Sequence, residues 1–259
     1  MSDVGVLDRV MAILRSFPDG LTRADPRAVA AELGMTAPTA YRLMKGMAEH
    51  GLLEQDERGY RLGVTLLHLG ARVAEGLEVR NVARPHLEWL RDRTHENAEL
   101  HLRHGSSRVP VEVVPSRLNL RPMGEVGVPL PLHIGASAKV LLAWLEPDES
   151  EALARASHAN HCDSGQEFDA RGLAGQLAQV RERGWACTDG EREVGLASVA
   201  APVRDRFGMV VAALVLAGPS SRLLQPAAND QALRLTTEAA DRVSHGLGHV
   251  GGAALREGA

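Results

Sequence analysis

MTAPTAYRLMKGMAEHG, residues 35–51, reads as an amphipathic helix. Ala40, Leu43, Met44 and Met47 recur at helical spacing and face a core, which leaves Thr39, Tyr41, Arg42 and Lys45 pointing outward. Just upstream, Asp25-Pro26 has the form of an N-cap followed by proline at the first helical position, with Val29, Ala30 and Leu33 on the buried side. Gly34 suits a left-handed turn, and Thr36 and Pro38 open the second helix. Small residues at the crossing of two helices, with a glycine at the bend, predict a helix-turn-helix whose second helix turns its amino-terminal end outward. Between Leu33 and Ala48 the only charges are Arg42 and Lys45, an acid-free window beside Asp25, Glu32, Glu49 and Glu54. Such a helix suits phosphates.

Outward from this stretch, Val6, Leu7, Val10, Ile13, Leu14 and Phe17 form the stripe of a first core helix, stopped by Pro18, Asp19 and Gly20. Leu52 and Leu53, a polar turn over 55–59, then Tyr60 and Leu62 predict a hairpin, the wing of a winged helix, with Arg58 and Arg61 able to reach phosphates. An ordinary helix pair with a hairpin has similar letters. Agreement of the signals over the whole segment favours DNA binding.

The bulk numbers bound the rest. The chain has 259 residues, enough for two domains, with 44% hydrophobic and 24% charged residues, as in globular proteins. A net charge of −4 argues against a protein whose whole surface grips nucleic acid, so the contact must be local. Two cysteines, Cys162 and Cys187, build no disulfide framework. No apolar run suits a membrane span, and MSDVGVLDRV lacks the basic and apolar regions of a secretory signal, so the expected location is cytoplasmic.

Val64 to Leu77 has the stripe of a linking helix, with Val64, Leu67, Ala71 and Ala74 widened by Leu66, Leu69 and Val73. Its apolar width suggests packing against a second chain. Beyond Pro85, a helix through Leu87 and Leu90, strands near 98–102 and 109–113, helices over 136–145 and 170–183, strands over 198–203 and 210–216, and a last helix from about 226 to 245 imply a mainly antiparallel sheet with covering helices. The expected division is 1–63, a winged helix-turn-helix; 64–78, a linker helix; 79–248, an α+β domain; and 249–259, a flexible tail.

The stretches VLDRVMAILRSF, LGMTAPTAYRLMKGMAEHGLLE and YRLG resemble the IclR-type transcriptional regulators, as do ARPHLEWL, LPLHIGASAKVLLAWL, RERGWACTDGEREVGLASVAAPVRD and VVAALVLAGPSSRL, over roughly residues 4–247. The resemblance implies an amino-terminal winged helix-turn-helix, a linker helix and a GAF-like α/β effector-binding domain. It implies a repressor more readily than an activator, assembled as a homodimer or dimer of dimers on an operator. The DNA-binding residues expected are Thr36, Pro38, Thr39, Tyr41, Arg42, Lys45, Arg58 and Arg61. Ala37 and Pro38 stand where relatives often have Lys or Ser, which shifts base readout toward Thr39, Tyr41 and Arg42. The effector residues expected are Ala136, Ser137, Leu196, Ser198, Val215 and Ala217. Several relatives carry cysteine at the Ser198 position and serines at the Val215 and Ala217 positions. The floor here should therefore be more apolar and the effector larger or more hydrophobic than glyoxylate or pyruvate.

Other chemistry is only suggested. GLGHVG, residues 246–251, has the letters of a dinucleotide fingerprint but follows a helix, and no cofactor is expected. His158, His161 and Cys162, with Cys187 possible nearby, lack the spacing of a zinc finger or ribbon, and SHANHCDSG reads as a loop. GASAK around Ser137 is one residue from a nucleophile elbow, with Lys139 in place of the second glycine. The chain is read as a non-enzyme. The alternatives are a DNA-binding protein without a ligand, and a serine hydrolase, which would need a base positioned against Ser137.

Overall fold

The structure is a computed structural model that describes residues 5–18, 22–161 and 167–250. The chain forms two compact units that divide between Gly76 and Leu77. The flexible-tail expectation falls almost wholly outside the described residues, as do Asp19, Gly20 and Cys162.

In the first unit, α1 (Gly5–Arg15) buries Ile13, and Phe17 follows it into the core. Val6 and Leu7, expected in that core, are 61% and 66% exposed, because only the carboxy-terminal half of the stripe meets other elements. Asp25 caps α2 (Pro26–Glu32), its side chain accepting the Arg27 amide at 2.8 Å. The chain turns at Gly34, φ +62°, where the Met35 amide reaches back to the Ala30 carbonyl, and enters α3 (Ala37–Glu49). Ala40, Met44 and Met47 are buried, and the two methionines join Ile13, Val29, Leu53 and Tyr60 in one cluster. The hairpin is β1 (Leu53–Asp56) with β2 (Gly59–Leu62), antiparallel, with Glu54 opposite Arg61. Then comes α4 (Val64–Gly76), none of whose thirteen residues is buried.

The second unit begins with α5 (Glu78–Thr94), β3 (Asn97–His104), β4 (Ser107–Val114) and β5 (Leu130–Pro131). It continues through α6 (Ala136–Ala143), α7 (Pro147–His161), α8 (Ala170–Arg183), β6 (Ala186–Asp189), β7 (Leu196–Arg204), β8 (Val210–Pro219), α9 (Ser220–Leu223) and α10 (Pro226–Gly246). Its sheet runs β5-β4-β3-β8-β7-β6 with every neighbouring pair antiparallel. Leu100, Val199, Leu214 and Leu216 pack on one face against Leu87 and Leu90 of α5 and Leu235 and Val243 of α10. Ala200, Ala213 and Val215 pack on the other against α6 and α8. The fold is the expected α+β architecture, with the short β5 and α9 added to what was expected and two larger differences. The segment expected as a loop around SHANHCDSG is helical as far as His161, since Pro147, Asp148 and Glu149 open a fifteen-residue α7 suited to its amino-terminal dipole. The short edge strand β6 carried too little periodicity to be read.

Candidate functional site

Two places concentrate unspent chemistry, one in each unit. In the first, Tyr41, Arg42 and Lys45 project from the exposed side of α3, while the buried side is locked into the core. Thr36 has the extended backbone of an N-cap, but its hydroxyl bonds that of Thr39 at 2.8 Å instead of a backbone amide. Pro38 lies exposed in the first turn and removes one amide that would have needed a partner. Among the described residues Arg42, Lys45 and Arg58 have no ion-pair partner, whereas Arg61 is held by Glu54 through two contacts at 2.8 and 2.5 Å. Glu54 also accepts the Val64 amide, and these hydrogen bonds and the Arg61 charge hold its carboxyl below the usual range. Arg61 therefore braces the hairpin, because its register places an acid directly across from it.

In the second unit, a cavity of about 30 Å³, room for about two waters, lies between the sheet and the amino-terminal end of α6. Ser137, Leu196, Ser198, Val215 and Ala217 line it, five of the six expected residues. Ala136 does not: its side chain is buried in the core beneath α6. The strand register explains the grouping, since Asn97, Ala217, Ser198 and Thr188 form one row across the sheet and Glu99 and Val215 begin the next.

The walls are more polar than the sequence reading anticipated. Glu99, His101, Arg108, Thr188, Glu191 and Arg192 complete the lining with Gly135. Glu99 and His101 project from β3 on the face opposite Leu100, and both are buried. Arg108 arrives through a bulge. The β3–β4 register slips at Leu100/His101, so that His101 pairs with Pro110, and β4 beyond that point is turned over. Glu112 consequently meets Arg80 and Arg84 of α5, while Arg108 faces the cavity.

Within the cavity, His101 Nδ1 lies 2.9 Å from Ser137 Oγ and His101 Nε2 lies 2.8 Å from Glu99 Oε2. Burial lowers the His101 pKa, only partly offset by Glu99. Burial pushes Glu99 the other way, but hydrogen bonds from His101 and Asn97 outweigh it and keep the carboxyl ionised. Neutral His101 thus donates Nε2–H to Glu99 and offers its Nδ1 lone pair to the Ser137 hydroxyl. Arg108 donates to the carbonyls of Pro131 and Ile134, yet its Nε is buried with no partner. Burial, followed by the nearby Arg192, brings Arg108 down to about 10. Lys139 pairs with Glu191, which also accepts the Gly135 amide. Arg108 and Arg192 line the cavity with Glu99 and Glu191, and Lys139, outside the lining, pairs with Glu191 and so completes a ring of three cations and two carboxylates. One positive charge remains for an anion.

The histidines noted in the sequence lie elsewhere. His158 and His161 end α7, with His133 against them at ring separations of 5.2 and 6.4 Å. Cys187 does not join them: it packs on the α5/α10 face, its sulfur 4.0 Å from Asn229. Among the described residues no three metal-ligating groups converge on a site.

Comparison with known proteins now bears on both places. Residues 71–245 match the profile of the bacterial transcriptional regulator IclR C-terminal domain, and residues 6–57 match the IclR helix-turn-helix domain. The chain is 31% identical over 219 residues to the HTH-type transcriptional regulator XynR of Escherichia coli, covering 84% of this chain and 87% of that one. It is 29% identical over 247 residues to KdgR of the same species, covering 93% and 92%. Among solved structures, an IclR homolog of Microbacterium hydrocarbonoxydans complexed with 4-hydroxybenzoate superposes with a TM-score of 0.78 at 26% identity, covering 93% of this chain and 98% of that one.

Proposed function

This chain belongs to the IclR family of bacterial transcriptional regulators, and we propose that it is a repressor whose hold on its operator is set by a small organic anion bound in the α6 cavity. It is a helix-turn-helix regulator with an effector-binding carboxy-terminal domain. The observation that carries the ligand reading is the buried, partnerless Nε of Arg108 in a ring with one excess positive charge. A carboxylate supplies the missing partner. The apolar floor of Leu196, Val215 and Ala217 suits a short hydrocarbon body beside it. A ring-sized ligand, such as the one named with the Microbacterium protein, would need the walls to part, because ligand pockets usually enclose hundreds of Å³.

On the DNA side, Thr36, Pro38, Thr39, Tyr41 and Arg42 meet the major groove, and Lys45 and Arg58 hold phosphates. The protein acts as a homodimer or dimer of dimers. Its second copy covers α4, whose Val64, Leu67 and Val73 are 66%, 72% and 66% exposed on a helix too short to persist well alone. Twofold symmetry then matches a palindromic operator. No described helix is long and apolar enough to cross a membrane, and the proposed place of action is the cytoplasm.

The test is operator binding with DNA from upstream of its own gene, titrated against salt and nonspecific competitor. Specific binding with a steep salt slope is expected, weakened or strengthened by a carboxylate that also raises the melting temperature. Purely nonspecific binding to that DNA and to genomic fragments would sink the reading.

A further inference from the structure

The sequence offered a serine near a nucleophile elbow but no base against it. The fold supplies one. Ser137, His101 and Glu99 form a continuous relay at 2.9 and 2.8 Å, with all three side chains buried around one cavity. A buried polar relay of this kind also serves as a ligand-binding floor, so the distances alone do not decide. Three further features do. Ser137 lies in the first turn of the eight-residue α6, where the amides of Ala136, Ser137 and Ala138 have no carbonyl of their own helix to bond, at a helix end that favours negative charge and where the Gly135 amide already holds the Glu191 carboxylate. Arg108, 4% exposed, lines the same cavity with an unpartnered Nε. The apolar floor of Val215 and Ala217, in a cavity with room for about two waters, suits an acyl group of about two carbons. Nucleophile, base, base-orienting carboxylate and oxyanion donors are thus together in one place.

We propose that this cavity is an acyl-transfer centre that hydrolyses oxygen esters of short carboxylic acids through an acyl-Ser137 intermediate. Ser137 Oγ attacks the ester carbonyl carbon while its proton passes to His101 Nδ1. Glu99 holds the resulting imidazolium through Nε2–H, and the tetrahedral oxyanion takes the α6 amides and Arg108. The C–O bond to the leaving group then breaks, and the His101 proton leaves with the alcohol. Water, deprotonated by His101, attacks the acyl-serine, and the proton returned from His101 restores the Ser137 hydroxyl as the carboxylic acid departs. The product is a small carboxylate, the ligand class for which the cavity is read as a sensor. The inference uses the same cavity as that reading but does not need the DNA-binding function.

The experiment incubates the full-length protein with p-nitrophenyl acetate, follows p-nitrophenolate release, and maps acylated peptides by mass spectrometry. In parallel, the melting temperature is measured with acetate and with benzoate. The expected result is an acetyl adduct on the peptide containing Ser137 and release above the solvent rate. Ser137→Ala removes the adduct, and His101→Gln slows release by roughly 10²-fold or more. Glu99 is a positioning residue. Glu99→Gln removes the charge that supports protonated His101, so the rising limb of the pH–rate profile moves to lower pH, which loss of packing alone would not produce. An unmodified Ser137 peptide in the wild-type protein, or release that survives both Ser137→Ala and His101→Gln, overturns the proposal. If benzoate or acetate still raises the melting temperature in that case, the sensor reading stands; if neither does, both fall.

Discussion

Arg42, Arg58 and Arg61 have the same side chain and three different situations. Arg42 and Arg58 are exposed with no ion pair among the described residues, so each is available to a phosphate or a base edge. Arg61 is spent on Glu54. Arg42→Ala is expected to weaken operator binding about tenfold, and Arg58→Ala to lower the slope of log K against log salt by about one contact, both read by fluorescence anisotropy across a salt series. Arg61→Ala should leave that slope nearly unchanged and instead lower the melting temperature. His133 makes a second prediction at this scale. Burial, followed by the neighbouring His158 and His161, brings its pKa from 6.5 down to about 4. The folded state therefore binds fewer protons than the unfolded one over that interval. The stabilisation is present above about pH 6.5 and is lost as pH falls through about 4. Thermal melts from pH 7 to pH 4 should show this decline, and His133→Gln should flatten it.

Elements decide what the residues can reach. The slip in the β3–β4 ladder turns one arginine into the cavity and leaves a glutamate four residues along the strand on the opposite face, where Arg80 and Arg84 meet it. The loop entering α6 makes the other arrangement possible. Gly135 has φ +91°, and a Cβ there would come within 3.1 Å of the Arg108 guanidinium. Gly135→Ala should cost about 1 kcal/mol or more in chemical denaturation and weaken anion binding by displacing Arg108. The linking helix α4 is the third case, an apolar stripe with no buried residue. Leu67→Glu should convert the proposed dimer to monomer in light scattering without unfolding the helix-turn-helix. It should also reduce affinity for a two-half-site operator far more than for a single half-site.

At the scale of the whole molecule, regulation is a coupling free energy between two units, and coupling is reciprocal. Whatever factor the anion imposes on operator affinity, operator DNA must impose on anion affinity, which calorimetry with and without DNA measures directly. By itself the sequence determined the helix-turn-helix, the hairpin and most of the helices and strands, through local periodicity, caps and turns, which act between residues a few positions apart, and the family through resemblance. It also placed Ser137, Leu196, Ser198, Val215 and Ala217, through resemblance. It did not place Glu99, His101 or Arg108, because alternating polar residues on a strand read as a solvated face until a helix covers that face. Nor could it show that a bulge would turn Arg108 over, or that Arg61 would pair with Glu54 across the hairpin. Pairing across a sheet and burial beneath a helix join residues far apart in the chain. Only the tertiary structure, which fixes register and coverage together, decides which polar groups remain unpartnered and available for chemistry.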